Sequence, residues 1–239
     1  MSRALVTGGS GGIGESVVRR LRAAGGEVVF TYCRSAERAE ALAKETGARA
    51  VAYDQSSAAS IEELAALIAT EDLDVLVNNA SGIPPKKLLL KTGADDFMAY
   101  VSESLRGVLR LSSALATRAR DRDRGGAIVN VLTSYVLGMP PAKLSAYVTS
   151  KHALLGLTRS MAVEFLRYGV RVNAVSPSVT RTNFISDLPE RFVEQLEAGL
   201  PMGRLATADE VAAVIEFLIS PAATYLNGVN IPIAGGQTC

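Results

Sequence analysis

The chain has 239 residues, 48% of them apolar and 21% charged, with a formal net charge of +1. That length suits one α/β domain or two small ones with a sizeable core. The charge lacks the basic excess that binding a phosphate backbone needs, so nucleic acid is not an expected partner.

The N-terminal run "MSRALVTGG" is apolar only briefly before glycines break it, so it reads as a first strand and not as a secretory signal. Cys33 and Cys239 form neither a ligand spacing nor a disulfide framework, and the cytoplasm is the expected compartment. One histidine, His152, and two distant cysteines give no material for a metal site.

"TGGSGGIG", Thr7 to Gly14, follows the first strand and opens a helix. Gly9, Gly11 and Gly14 fit G-x-G-x-x-G, while Gly8, Gly12 and Gly14 fit T-G-x-x-x-G-x-G, so two registers are open at one location. Either permits a tight turn and close backbone approach to a pyrophosphate, which the free N–H groups of a helix N-terminus stabilise. A purely local turn is the competing reading, and the strand–turn–helix placement favours dinucleotide binding.

The second strand ends in "VVFTYCRS". An unphosphorylated ribose needs an acid at that end. Tyr32 stands there instead, and Arg34 and Ser35 offer a cation and a hydroxyl to a 2′-phosphate, which predicts NADP(H). A solvated loop arginine is the bland alternative for Arg34.

Short β-branched runs then alternate with helical patterns: "RAVAY", "SIEELAALIAT", "LDVLVNN", a long helix from about Thr92 to Ala119, "GAIVNVLTS", a helix from about Ser145 to Tyr168, and "VRVNAVSP". Continuous apolar strands alternating with helices predict a single Rossmann-type doubly wound parallel sheet with helices on both faces. No linker, repeat or low-complexity tract divides it, so residues 1–239 are expected to form one dinucleotide-binding domain. Two charge-free stretches, Gly125 to Ala142 and Pro221 to Cys239, carry too much Gly, Pro, Asn, Ser and Thr to span a bilayer, and no membrane association is expected. Residues 181–206 interrupt the pattern beyond the end of a parallel strand, where ligands bind in open α/β sheets, and make a candidate substrate lid. Thr207 and Glu210 predict a capping box for the last helix.

"IVNVLTS" ends at Ser134, and Tyr147 and Lys151 begin the next helix four residues apart. That spacing alone also describes ordinary packing. A lysine ammonium near a phenol lowers a pKa that is about 10 unperturbed. Such a tyrosine can give a proton to an alkoxide forming from a carbonyl, with Ser134 hydrogen-bonding the same oxygen and a nicotinamide supplying hydride.

From Ala4 to about Gly236 the chain resembles the short-chain dehydrogenase/reductase family. "TGGSGGIG", "VNNA", a serine thirteen residues before Y-x-x-x-K, and "VRVNAVSP" occur in the family's order and spacing. The resemblance implies that Ser134, Tyr147 and Lys151 are the catalytic serine, tyrosine and lysine, with Lys151 also on the nicotinamide ribose. It further implies Gly8, Ser10, Gly12, Ile13 and Gly14 at the cofactor loop, Asp54 at the adenine, and Asn78 and Ala80 bordering the nicotinamide ribose. Pro177, Val179, Thr180 and Thr182 would lie near the carboxamide and phosphates. Long helices rich in small and apolar residues, including Ala146, Ala153, Leu154, Leu157 and Ala162, imply a homotetramer, or a dimer.

Three positions depart from the family pattern: "NNAS" with Ser81 in place of "NNAG", Ser178 where glycine is usual, and "ESLRG", where Ser104 replaces the asparagine of a proton relay to Lys151. A serine could serve that relay through one extra water. The tail "LPMGRLATADEVAAVIEFLIS" and the ending "LNGVNIPIAGGQ" most resemble bacterial 3-oxoacyl-carrier-protein reductases, which implies a small-molecule or carrier-protein-bound β-keto thioester as substrate. Arg118, Arg120, Arg122 and Arg124 alternate with Asp121 and Asp123; they read as a solvated mixed-charge helix end, with docking of an acidic carrier as the alternative. Enoyl reductases of the superfamily use a wider tyrosine–lysine spacing than the Y-x-x-x-K here. Other readings are a different small carbonyl or hydroxyl substrate, a non-catalytic NADP(H) sensor, and a hydrolase built on His152, against which the lack of a nucleophile elbow argues.

Overall fold

The computed structural model describes residues 2–181 and 190–237. The strands β1 (Arg3–Val6), β2 (Glu27–Tyr32), β3 (Arg49–Ala52), β4 (Val75–Asn78), β5 (Gly126–Val131), β6 (Val170–Pro177) and β9 (Asn230–Ile233) form one parallel sheet in the order β3-β2-β1-β4-β5-β6-β9. Between them run α1 (Gly12–Ala23), α2 (Ala36–Thr46), α3 (Ala58–Thr70), α4 (Ala94–Arg122), α5 (Ser145–Phe165), α6 (Glu190–Ala198) and α7 (Ala208–Ile219). A separate parallel pair, β7 (Thr180–Arg181) with β8 (Ala206–Thr207), joins the two ends of the segment that follows β6.

Strand side chains alternate between two cores, as a period of two requires. Ala4, Val6, Phe30, Val77, Val129 and Val175 face one core, which α1, α2 and α7 close with Val17, Leu21, Leu42 and Ile215. Leu5, Val29, Leu76, Ile128 and Val172 face the other, closed by α3, α4 and α5 with Leu64, Ile68, Leu115 and Met161. The doubly wound α/β architecture read from the sequence is therefore the observed one. The strand order reverses beside β1, which lies between β2 and β4, so a crevice opens where the carboxyl ends of β1 and β4 part.

Helix boundaries shift slightly from the expected ones. α4 begins at Ala94 and extends to Arg122, and α5 stops at Phe165, where a 3-10 turn over Leu166–Tyr168 runs into Gly169 at φ 72°. The capping box at α7 is present, with the Thr207 hydroxyl accepting from the Glu210 N–H and the Glu210 carboxylate accepting from the Thr207 N–H. The solvated reading holds for Arg120, Arg122 and Arg124, whose side chains are about half exposed, and needs correction at Arg118. Arg118 is 3% exposed, its Nε 2.9 Å from Asp72 Oδ1, and Arg122 and Arg124 reach the same carboxylate at 3.3 and 2.6 Å. They tie the end of α4 to the loop before β4, and only Arg120 pairs with its neighbour Asp121. Among the described residues no helix is long and apolar enough to cross a membrane.

Candidate active site

The glycine loop is stapled to the end of β4 by two side chains. Thr7 Oγ1 accepts from the N–H groups of Asn79 and Ala80, both at 3.0 Å, while Asn79 Nδ2 donates to the carbonyls of Thr7 and Gly8 at 2.9 and 3.0 Å. Asn79 is a positioning residue that the sequence reading passed over in favour of Asn78, because its partners lie more than 70 residues away. The Asn78 side chain points inward, donating to Asn130 Oδ1 at 2.8 Å and Ser112 Oγ at 3.3 Å, so it faces the core and not the cleft. Only its backbone is available to border a ligand.

The two glycine registers are resolved. Gly8 and Gly12 have φ of 66° and 56°, and a Cβ on Gly14 would collide with the carbonyl of Gly8. Gly11 is extended, at φ −179°, and a Cβ there would meet nothing nearer than the Arg38 guanidinium at 3.7 Å. The T-G-x-x-x-G-x-G spacing is thus the one the backbone requires, although Gly9 also lacks room, its Cβ position lying 2.6 Å from Phe30. α1 opens at Gly11 with no side chain capping it, which leaves its first N–H groups for an anion.

Above this loop lies a cleft of about 790 Å³ lined by Gly8, Ser10, Gly12, Tyr32, Arg34, Ser35, Asp54 and Ala80 among the expected cofactor residues. It is also lined by Cys33, Arg38, Gln55, Tyr100, Glu103 and Ser104. Asp54 Oδ1 accepts from the Ser56 hydroxyl and N–H at 2.7 and 2.9 Å, which holds its carboxyl below the usual range, with the Arg34 charge adding to the effect. Ile13 and Gly14 do not line the cleft: Ile13 packs on the core of α1, and Gly14 is buried against the loop. Pro177 ends β6 and Val179 and Thr180 follow it, where Thr180 donates to the Ser178 carbonyl at 2.9 Å and Ser178 donates to Gln237 Oε1 at 2.6 Å. Thr182 lies outside the described residues. Dimensions, glycine turn and uncapped helix start together fit a dinucleotide.

Ser134, Tyr147 and Lys151 gather past the end of β5. Ser134 is 2% exposed and starts a 3-10 turn, and Tyr147 and Lys151 lie one turn apart near the start of α5. Lys151 is buried and donates to the Val131 carbonyl at 2.8 Å, with its Nζ 5.8 Å from the centre of the Tyr147 ring. Burial pushes the ammonium down to about 8 and the Tyr147 phenol up to about 12. The expected depression of the phenol is not what this arrangement produces: loss of water outweighs everything else, and the counteracting pull comes from a hydrogen bond with Thr133. Thr133, adjacent to Ser134, was missed for lack of any spacing signal. The phenols of Tyr100 and Tyr135 lie close enough to oppose ionisation of Tyr147 further.

Ser104, on α4, donates to the carbonyl of Tyr100 at 2.8 Å. A void of about 10 Å³ separates it from Lys151, lined also by Asn78, Ser81, Ser150 and Leu154. That is room for roughly one water among polar walls.

Residues 8–238 match the profile of a family described as "Enoyl-(Acyl carrier protein) reductase". The chain is 35% identical to the 3-oxoacyl-[acyl-carrier-protein] reductase FabG of Staphylococcus aureus, covering 98% of this chain and 97% of that one. It is 34% identical to a meso-2,3-butanediol dehydrogenase of Serratia marcescens, covering 98% and 93%. A solved 3-ketoacyl-(acyl-carrier-protein) reductase from Brucella melitensis, complexed with NADH, superposes with a TM-score of 0.89 at 28% identity over 100% of this chain and 98% of that one. With a glycine turn at the β1–β4 crevice, a dinucleotide-sized cleft and these full-length likenesses, the chain belongs to the short-chain dehydrogenase/reductase family of nicotinamide-dependent oxidoreductases.

Proposed function

We propose that the protein is an NADP(H)-dependent carbonyl reductase whose substrate is a carrier-protein-linked β-keto (3-oxoacyl) thioester. The observation that carries this reading is the placement of Tyr147 one helical turn from buried Lys151, whose Nζ lies 5.8 Å from the phenol ring centre and donates to the Val131 carbonyl at the end of β5, just before Ser134. Residues 1–239 act as one dinucleotide-binding domain with 181–206 as its lid, working in the cytoplasm as a homotetramer. Exposed Met98 and Leu109 on α4 suit such a subunit contact.

Gly8, Ser10 and Gly12 cradle the pyrophosphate at the start of α1, Asp54 meets the adenine, and the cationic segment between β2 and α2 selects the phosphorylated ribose. Ala80 and Lys151 hold the nicotinamide ribose, with Thr180 and Thr182 toward the carboxamide and phosphates. When bound, the nicotinamide supplies hydride to the carbonyl carbon. Ser134 donates a hydrogen bond to the carbonyl oxygen, and Tyr147 gives that oxygen its proton as negative charge develops. A phenol near 12 is reliably protonated when the ketone arrives, and the Lys151 ammonium stabilises the phenolate left behind. With a pKa near 8, Lys151 can itself pass on a proton at neutral pH and recover one through the water-sized void it shares with Ser104.

The Y-x-x-x-K spacing supports carbonyl chemistry over the enoyl reduction named in the family's description. The Serratia relative supports a small hydroxy-ketone as the second reading. Oxidation of NADPH is followed with 3-oxoacyl thioesters, free and carrier-bound, beside small diketones. Carrier-bound thioesters should give the highest kcat/KM; a preference for diketones moves the assignment to the second reading. Tight NADPH binding with no turnover of any substrate would leave a sensor.

A further inference from the structure

Two cations line the adenosine end of the cleft, and they are placed differently. Arg34 follows β2 directly and lies where its charge acts on Asp54, the residue across the cleft after β3. Arg38 comes from the first turn of α2. Its Nη2 donates to Ser35 Oγ at 3.1 Å, and its Nη2, Cζ and Nη1 lie 3.7, 3.9 and 3.9 Å from the Cβ position of Gly11. Three guanidinium atoms at nearly one distance mean that the group lies flat over the glycine loop. The N–H donors of a guanidinium lie in its plane, so its edge points along the loop surface toward Ser35 and the cleft.

Neither cation is committed elsewhere. Among the described residues Arg34 and Arg38 form no ion pair, whereas Arg3, Arg19 and Arg20 in the same half of the sheet are each paired with carboxylates.

We infer that Arg38 with Ser35 is the reader of the ribose 2′-phosphate, and that Arg34 lies beside Asp54 at the adenine and contributes without regard to that phosphate. This rests on the NADP(H) reading and goes beyond it by moving discrimination from the residue after the strand to one delivered by α2. A hydroxyl and a planar cation already 3.1 Å apart form a preorganised pair of donors, matched to a phosphate's adjacent oxygens. Arg34 has no such companion.

The test uses calorimetric titration of the intact protein with adenosine 2′,5′-bisphosphate and with adenosine 5′-monophosphate, probes of the adenosine end that lack nicotinamide. Wild type should prefer the bisphosphate. Arg38→Ala should lose about tenfold to a hundredfold in affinity for the bisphosphate, with the monophosphate unchanged. Arg38→Lys should restore only part of it, a point charge lacking the fork. Arg34→Ala should weaken both probes by the same factor. Selective loss of the bisphosphate in Arg34→Ala, with none in Arg38→Ala, overturns the assignment and leaves the NADP(H) reading intact. A wild-type protein that does not distinguish the probes overturns both. Thermal midpoints of the variants, read on the same samples, separate lost contacts from lost fold.

Discussion

In the large cleft past β2 and β3, Arg34, Arg38 and Asp54 stand in water, Arg38 and Asp54 tethered by hydrogen bonds to Ser35 and Ser56. At the reacting end Ser134 and Lys151 are 2% and 8% exposed, and burial drives the phenol of Tyr147 and the ammonium of Lys151 toward their neutral forms. On the proposed reading the first group discriminates between ligands by charge at little structural penalty, because exposed ions are already solvated. On the proposed reading the second group gives up stability to hold a lysine that exchanges a proton near the working pH. Arg34, Arg38 and Asp54 line the large cleft, whereas Lys151 lines the small void beside Ser104.

The largest effect that would break this contrast is on turnover. Tyr147→Phe should lower kcat by about 10²- to 10⁴-fold while leaving the Kd for NADPH near wild type, measured by fluorescence titration. Weakened binding with retained turnover would show that the dry end is not where the proton moves.

Next is the stability that the dry end gives up. Lys151 is displaced from 10.5 unfolded to about 8 folded. Between those values the unfolded chain binds the extra proton and the folded one does not, so stability should rise as pH climbs from about 8 to 10.5. Lys151→Met should remove that rise and stabilise the protein at pH 7 by roughly 3 kcal/mol, read from urea midpoints across the range. A profile that falls over the same interval in wild type would contradict the burial of the ammonium.

A smaller difference lies within the glycine loop. Gly14→Ala should cost about 1–3 kcal/mol because its methyl group runs into the Gly8 carbonyl, whereas Gly11→Ala should stay within about 0.5 kcal/mol. Smallest of all, Ser104→Ala should slow turnover only severalfold, with a larger solvent deuterium isotope effect and unaltered NADPH affinity. An unchanged isotope effect would remove the void beside Lys151 from the proton path.

Period-two alternation and the strand–helix rhythm made the fold legible, because each of Leu5, Leu76 and Ile128 differs from its neighbours by the face it must bury. The glycine loop was legible in place but not in register. Only the folded turn shows that Gly14 presses on Gly8. Long-range partners left no trace in spacing: Asn79 acts on Thr7 and Gly8, and Arg118 finds Asp72 from 46 residues away, which makes one arginine of an otherwise exposed charge run a buried anchor. The sign of the Tyr147 shift was misread for the same reason, since proximity to a lysine is visible in Y-x-x-x-K and loss of water is not. Arg38, by contrast, stands three residues after Ser35 at the start of a helix, and an i,i+3 reading from that serine would have found it.

The short pairing of Thr180–Arg181 with Ala206–Thr207 has a consequence for how the chain can vary. It closes a neck between the end of β6 and the start of α7, reinforced by Glu197, whose carboxylate accepts from Arg181 and from the Leu205 N–H. With the ends already joined, doubling the intervening length adds only about 0.6 kcal/mol of closure entropy. The seven-stranded sheet does not register such a change, since β6 and α7 are fixed on either side of the neck. Insertions and deletions there are thermodynamically cheap, so the chain can change length at this point while the sheet stays as it is.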